Sequence, residues 1–298
     1  MRISGSRPRS VVGLIGFPLG HTISPAFQQA AFDYHSLPTV YEAWQTPPDG
    51  LTAALGRVRQ PDCLGMNVTI PHKEAILPLL DSVDEWARQI GAVNTVVNDG
   101  GRLHGHNTDA TGFLRALREP GAFEVSGKRV VLVGAGGVAR AVVLTLAREC
   151  AASLAIANRS VARAEALAVL ARSAGLPAEV IDISDESGLG AAIGAADLLV
   201  NATSVGMWHA APGSPVAAAH LHDRLFVHDL IYNPVETVLL REAERAGART
   251  LNGLSMLVFQ GAAAFELWTS RRAPVGLMMA RAVDALARAQ AESGEGDG

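Results

Sequence analysis

The second half of the chain alternates short apolar runs with helical or loop stretches, and this alternation constrains the fold more than any other feature. The runs are Arg129–Val133, Ser153–Ala157, Glu179–Ile181, Leu198–Asn201, Phe226–Leu230 and Arg249–Leu251, and each but the last is followed by a helix or loop of reasonable length. Strands buried on both faces read as continuous Val/Ile/Leu runs, and parallel neighbours need a crossover to join them. The pattern predicts a doubly wound, Rossmann-type α/β sheet.

Arg129–Val133 leads directly into Gly134-Ala135-Gly136-Gly137-Val138-Ala139, a G-x-G-x-x-A turn between strand and helix. Gly134 permits the tight turn, Gly136 lets backbone approach a pyrophosphate, and Ala139 keeps the helix close to the sheet. The helix start adds N–H donors and a positive dipole. A dinucleotide is therefore the expected ligand. The next strand ends in Asn158-Arg159-Ser160, with Arg163 beyond, where an NAD enzyme would usually carry Asp or Glu. Two guanidinium groups and a hydroxyl suit a 2′-phosphate, because arginine binds phosphate oxygens in a fixed fork. The expected cofactor is NADP; a merely solvated arginine pair on a helix start is the alternative.

The first part of the chain alternates too. Val11–Gly16, Val40–Trp44 and Cys63–Val68 read as strands, and Ala92–Asn98 with Arg102–Gly105 as a hairpin around Asp99-Gly100-Gly101. Helices are expected through about Tyr34, with Ser24 as N-cap and Pro25 at its first position, over Asp49–Arg59 with Asp49 as cap, and from Thr108 to Arg118. Mostly parallel sheets are expected, with a new βαβ series introduced by Gly121–Lys128. After Asn252, helices over roughly Gly253–Arg271 and Pro274–Ala291 have no strand to wind around, so they are expected to return to the first domain.

Polar residues gather at the predicted strand ends. The run Asn67-Val68-Thr69-Ile70-Pro71-His72-Lys73 breaks a buried strand at Pro71, which suits a first helical position, and places Lys73 at the helix mouth. A lysine held there can act as acid or base on a substrate oxygen if its surroundings bring its pKa toward neutrality. A lone lysine would be read as solvated. The second cluster, Gly91-Ala92-Val93-Asn94-Thr95 followed by Asn107-Thr108-Asp109, turns the reading toward chemistry.

Bulk properties set the limits. With 298 residues, 49% hydrophobic and 18% charged, the chain has enough apolar material for one large domain or two ordinary ones. The net charge of −4 without a basic block argues against nucleic acid. Cys63 and Cys150 have neither metal-ligand spacing nor a disulfide framework, which fits a reducing cytoplasm. Arg2, Arg7 and Arg9 before the apolar run from Val11 imitate a signal peptide, but Gly13, Gly16 and Pro18 interrupt it and no cleavage pattern follows, so it is read as a first strand. No stretch reaches membrane-spanning length, and the tail Glu292–Gly298 is expected to fray.

Together these segments resemble the shikimate dehydrogenase family over nearly the whole chain. The resemblance is carried by Gly16-Phe17-Pro18 through Ser24-Pro25, then NVTIPHK, GAVNT, NTD, GAGGVARA, NRSVARA, NATSVGM, DLIYNP and NGLSMLVFQGAAAFELW, in order. It implies NADPH-dependent reduction of 3-dehydroshikimate to shikimate, toward aromatic amino acids. It also implies a discontinuous substrate domain, residues 1–108 plus 253–298, and an NADP-binding domain over 109–252. Carried over by position, Thr22 and Ser24 would hold the substrate carboxylate, Thr69, Asn94, Asp109 and Gln260 its hydroxyl and carbonyl groups, and Tyr232 would complete the pocket. Lys73 would be the catalytic acid/base with Asp109 as partner. Gly134, Ala135, Gly136, Gly137 and Val138 with Asn158, Arg159, Ser160 and Arg163 would hold NADP, while Leu230 and Gly253 would lie near the nicotinamide. The expected partner is the small-molecule substrate, without nucleic acid or membrane, for a monomer or homodimer.

Some residues depart from the family's usual pattern. Thr22 stands where Ser is common, Phe27-Gln28-Gln29 replaces a small residue followed by His-Asn, and His72 and His106 replace apolar or other residues. The chemistry needs neither histidine, and His21 is as well explained by the fold as by substrate contact. The alternatives are a quinate, quinate/shikimate or aminoshikimate dehydrogenase. A folate-linked methylene dehydrogenase is opposed by Thr22, Ser24 and Gln260, and a non-catalytic NADP-binding regulator would have no use for Lys73, Asp109, Asn94 and Thr69 together.

Overall fold

The structure, a computed structural model, describes residues 10–20, 22–208 and 210–294. His21 and the arginines of the signal-like start lie outside the described residues. Contacts divide the chain into two compact units, one formed by residues up to Thr108 together with those from Gln260 onward, the other by Asp109–Phe259.

The first unit contains β1 (Ser10–Gly16), α1 (Ser24–Tyr34), β2 (Thr39–Gln45), α2 (Leu51–Val58), β3 (Cys63–Val68), α3 (His72–Ala75), β4 (Ser82–Val83), α4 (Glu85–Ile90), β5 (Thr95–Asp99) and β6 (Arg102–His106). Its six-stranded sheet runs β2-β1-β3-β5-β6-β4. β1 is parallel to β2 and β3, but β5 is antiparallel to both β3 and β6, so this sheet is mixed because the hairpin is built into its middle. Ile15, Met66, Val68, Ile76, Val93, Val96 and Leu103 form a core against it.

Three helix starts differ from the sequence expectation. Ser24 is the first residue of α1, not its cap, and the Ser24 N–H instead donates to Thr22 Oγ1 at 3.3 Å. Pro71 precedes α3, because the turn is closed by the His72 N–H on the Thr69 carbonyl at 2.9 Å and only then does the helix begin. Asp49 lies in a short 3-10 turn, Pro48–Gly50, and α2 starts after it without a side-chain cap. The elements β4 and α4 had no sequence signal strong enough to place them; Asp84 caps α4 by accepting from the Ala87 N–H at 2.7 Å.

The second unit contains α5 (Asp109–Arg118), β7 (Arg129–Val133), α6 (Gly137–Arg148), β8 (Ser153–Asn158), α7 (Val161–Ser173), β9 (Ala178–Asp182), α8 (Glu186–Ala195), β10 (Leu198–Asn201), β11 (Phe226–Asp229), α9 (Val238–Arg245) and β12 (Arg249–Leu251). Its sheet order is β12-β11-β10-β7-β8-β9, parallel throughout. Strand order reverses between β7 and β10, the switch point at which open α/β sheets take ligands.

Two helices follow, α10 (Leu254–Thr269) and α11 (Val275–Gly294). The division between units falls inside α10, between Phe259 and Gln260. Within the first unit, Phe265 meets Phe32 edge-on at 5.1 Å and the Trp268 Nε1–H donates to the Val96 carbonyl at 2.9 Å. Of the tail, 292–294 continue α11 and 295–298 lie outside the described residues.

Candidate active site

In the first unit, β1 and β3 run parallel and deliver their carboxyl ends side by side: the Thr69 N–H donates to the Ile15 carbonyl at 2.9 Å, and Phe17 N–H to the Ile70 carbonyl at 2.9 Å. Thr69 is thereby held half-buried at the sheet edge. Lys73 stands half-buried in the single turn of α3, and its carbonyl accepts from the Val93 N–H at 2.8 Å. The loop that holds Lys73 from behind is thus the one that presents Asn94.

Asn94 is buried at the centre of a polar set. Its Oδ1 accepts from the Thr108 N–H at 2.8 Å, and its Nδ2 reaches Thr108 Oγ1 at 3.0 Å and Gln260 Oε1 at 3.3 Å. Asn67 lies beside it: Nδ2 donates to the Asn94 carbonyl at 3.1 Å and to Thr95 Oγ1 at 3.2 Å, and Oδ1 accepts from the Tyr41 hydroxyl at 2.8 Å. Burial pushes the Tyr41 phenol far above its ordinary value, so it stays a donor. Sequence reading overlooked Tyr41, Asn67 and Thr95 as a supporting layer; a hydroxyl or amide on consecutive strands is a hint, but their meeting depends on strand order. Thr22 is half-buried and Ser24 buried, joined by the contact already described.

The two histidines have structural partners. His72 is buried, its Nε2 2.7 Å from the Thr46 carbonyl, and His106 Nδ1 pairs with Asp84 Oδ2 at 2.8 Å. Burial alone would raise the Asp84 carboxyl, but bonds from His106 and from the backbone of Ala87 and Trp86 hold it below the ordinary range.

In the second unit, the glycine loop leaves β7 at the switch point. Gly134 has φ +109°, and a Cβ there would meet the Ala202 carbonyl carbon at 2.9 Å, so the turn at β7 and the end of β10 can approach this closely only with glycine. Around Gly136 and Gly137 a Cβ would find nothing within 4 Å. Gly136 occupies the cap position of α6 and gives it no side-chain bond. Open backbone at the start of a 12-residue helix is what a pyrophosphate requires, so these residues fit a dinucleotide. Ala135 and Val138 are half-buried beside them.

At the end of β8, Asn158 Nδ2 donates to the Ser160 carbonyl at 2.9 Å, and Ser160 caps α7 by accepting from the Arg163 N–H at 3.4 Å. Arg159 and Arg163 are exposed on this rigid turn. Beyond β11, Asp229 is fully buried and accepts from Asn201 Nδ2 at 2.9 Å, Ile231 N–H at 3.1 Å and the Thr237 hydroxyl at 2.7 Å. Burial raises its carboxyl, against which the three donors work. This network, missed in the sequence, ties down the loop that carries Leu230 and Tyr232. Gly253 N–H donates to the Ile231 carbonyl at 2.8 Å, and any Cβ on Gly253 would overlap the Leu230 carbonyl. Leu230 and Gly253 are therefore brought together. Burial raises the Tyr232 phenol. Asp109, the first residue of α5, is buried.

Three stretches of the chain match known protein families. Residues 14–96 match the shikimate dehydrogenase substrate binding domain, residues 117–211 the shikimate / quinate 5-dehydrogenase family, and residues 253–282 the shikimate 5'-dehydrogenase C-terminal domain. A shikimate dehydrogenase (NADP(+)) from Moorella thermoacetica is 47% identical over 268 residues, 90% of each chain. The chain belongs to the shikimate dehydrogenase family. Among solved structures of the family, shikimate 5-dehydrogenase from Thermus thermophilus, in complex with NADP(H) and shikimate, superposes with a TM-score of 0.82 at 39% identity, covering 93% of this chain and 100% of that one. The quinate dehydrogenase from Corynebacterium glutamicum, in complex with NAD, reaches a TM-score of 0.85 at 36% identity, covering 93% and 99%. The shikimate dehydrogenase likeness thus extends over both units, and the α/β fold read from the sequence is that of the family.

Proposed function

We propose that this chain is an NADP-dependent shikimate dehydrogenase that reversibly reduces 3-dehydroshikimate to shikimate. The observation that carries the reading is the bonded set Asn94, Thr108 and Gln260, in which Asn94 stands on the loop whose Val93 N–H grips the backbone of Lys73. A mutually oriented set of two amides and a hydroxyl, largely buried and joined through one loop to the turn that carries Lys73, suits a small polyhydroxylated ring better than an apolar ligand.

Thr22 and Ser24 are the hydroxyl donors for the ring carboxylate. Thr69, Asn94, Asp109 and Gln260 hold its hydroxyl and carbonyl oxygens, and Tyr232 closes the pocket. The Lys73 amine, in its ammonium form, gives a proton to the carbonyl oxygen as negative charge develops there, and takes it back from the shikimate hydroxyl in the reverse direction. Asp109 orients that ammonium and a substrate hydroxyl. Gly134, Ala135, Gly136, Gly137 and Val138 would hold the pyrophosphate of NADP, Asn158, Arg159, Ser160 and Arg163 its 2′-phosphate, and Leu230 and Gly253 the nicotinamide. When bound, this cofactor supplies or accepts the hydride. The substrate domain is residues 1–108 with 253–298 and the cofactor domain 109–252. Support for the second comes from the unbroken series β7 to β12 within it.

A small-molecule substrate is the only partner this reading requires, and the chain acts as a monomer or homodimer in the cytoplasm, without nucleic acid. Supporting this location, Cys63 and Cys150 are free. Among the described residues no helix is long and apolar enough to cross a membrane.

The test is absorbance at the NADPH band when the purified protein meets NADP with shikimate, quinate or aminoshikimate, and NAD in place of NADP. Shikimate with NADP should give the highest kcat/KM. Higher kcat/KM with quinate would move the quinate dehydrogenase reading to first place.

A further inference from the structure

Lys73 sits in a helix of four residues, His72–Ala75. One turn makes too few internal hydrogen bonds to hold itself in water, so its position must come from tertiary contacts. Three are visible. From one side the Val93 N–H donates to the Lys73 carbonyl at 2.8 Å. From beneath, Ile76, whose N–H closes the turn itself on the His72 carbonyl at 3.0 Å, is fully buried in the core of the first unit. From the other side the imidazole of His72, 1% exposed, reaches the Thr46 carbonyl at 2.7 Å. Thr46 is itself fixed: its N–H donates to the Gly16 carbonyl at 2.9 Å and its hydroxyl to the Trp44 carbonyl at 2.8 Å.

A carbonyl only accepts, so His72 Nε2 carries the hydrogen in this bond. That nitrogen cannot serve as a base toward substrate while so engaged. The ring acts instead as a strut between the end of β2 and the turn of α3.

We propose that His72 is a positioning residue: its buried imidazole, clamped to the Thr46 carbonyl, fixes the one helical turn that carries Lys73 and so sets where the amine stands against the substrate oxygen. The proposal rests on the reading of Lys73 as the acid/base. Proton transfer is sensitive to placement, and a displacement of about 1 Å can cost on the order of a hundredfold in rate.

The experiment compares His72→Phe, His72→Asn and His72→Gln in the full chain, with Lys73→Met alongside. Phe keeps the ring without the donor, Gln can place an N–H near the position of Nε2, and Asn is too short to do so. Expected for Phe and Asn is a fall in kcat of roughly ten- to a hundredfold, with the Kd for NADP unchanged. The primary isotope effect on hydride transfer from C4-deuterated NADPH should change with it, since the placement of the proton donor alters the chemical step. Gln should recover most of the rate. Should the Phe variant not fold, the contrast between Asn and Gln carries the test. A parental kcat in Phe or Asn while Lys73→Met is inactive overturns the positioning role alone. Equal losses in all three, matched by equal losses of thermal stability, overturn it too, because packing and not the donor would then matter. Parental turnover in Lys73→Met overturns the acid/base reading beneath both.

Discussion

Asn94 and Thr108 hold each other through side chain and backbone at once: Asn94 Oδ1 accepts the Thr108 N–H at 2.8 Å, while Asn94 Nδ2 stands 3.0 Å from the Thr108 hydroxyl. Both are buried, and Asp109 is the next residue in the chain. Asn94 is thus a structural clasp as well as a proposed substrate contact. Asn94→Ala strands the Thr108 N–H without a partner, which costs about 1–3 kcal/mol for a buried donor. Urea unfolding should show that loss, and kcat should fall with it. Unchanged stability would show that the clasp is dispensable.

Lys73→Ala should remove most of the turnover, by on the order of 10²–10⁴-fold, as for loss of a positioned acid/base. Binding of NADP should stay nearly intact, because the glycine loop belongs to the other unit. Asp109→Asn should be similarly severe, and the double variant far from additive, as for residues acting as one device. Near-normal kcat at saturating substrate in Lys73→Ala would remove this assignment.

Arg159→Ala should weaken NADP more than NAD, since only NADP carries the 2′-phosphate. A hydrogen bond to a charged group contributes roughly 1.5–3 kcal/mol, so the preference should drop about ten- to a hundredfold. Titration of both cofactors measures it; equal losses would mean that Arg159 only stiffens the turn that Asn158 and Ser160 already hold.

Thr22 should favour shikimate over quinate. With Thr22 at the carboxylate as proposed, its methyl would crowd the ring carbon bearing that group, where quinate carries an additional hydroxyl, and a hydroxyl buried without a partner costs about 1–3 kcal/mol. Thr22→Ser should raise relative kcat/KM for quinate. If it selectively lowers quinate use instead, the Thr22 hydroxyl recognises that group.

His228 makes the second unit acid-sensitive. It is fully buried in β11, stacked on Phe113 at 5.5 Å, and burial lowers its pKa from 6.5 to about 3. The unfolded chain therefore binds the proton more tightly. No stability is lost above pH 6.5; loss grows as pH falls from there and levels off below about 3. At pH 5 the cost is about 2 kcal/mol relative to pH 8. His228→Phe keeps a stacked ring, so its stability should decline less over that interval by about this amount. The same decline in both proteins would show that other groups govern acid sensitivity.

What the sequence by itself determined lies where local backbone chemistry is decisive. Val/Leu runs with crossover-length spacers dictated parallel pairing in the second sheet, and Gly134, which must take positive φ against Ala202, marked the tight turn after β7. Helix starts were less legible. Ser24, Asp49 and Pro71 all suit a cap or first position by type, yet Thr22, a 3-10 turn and the Thr69–His72 turn decided where the helices begin. The supporting bonds were not legible at all. Tyr41 and Asn67 are 26 residues apart, Asn201 and Asp229 are 28, and Asn94 and Gln260 are 166. Such pairs exist only once strand order and helix return bring them together, and a buried polar group must then take the partner that the packing offers, a choice no local propensity contains.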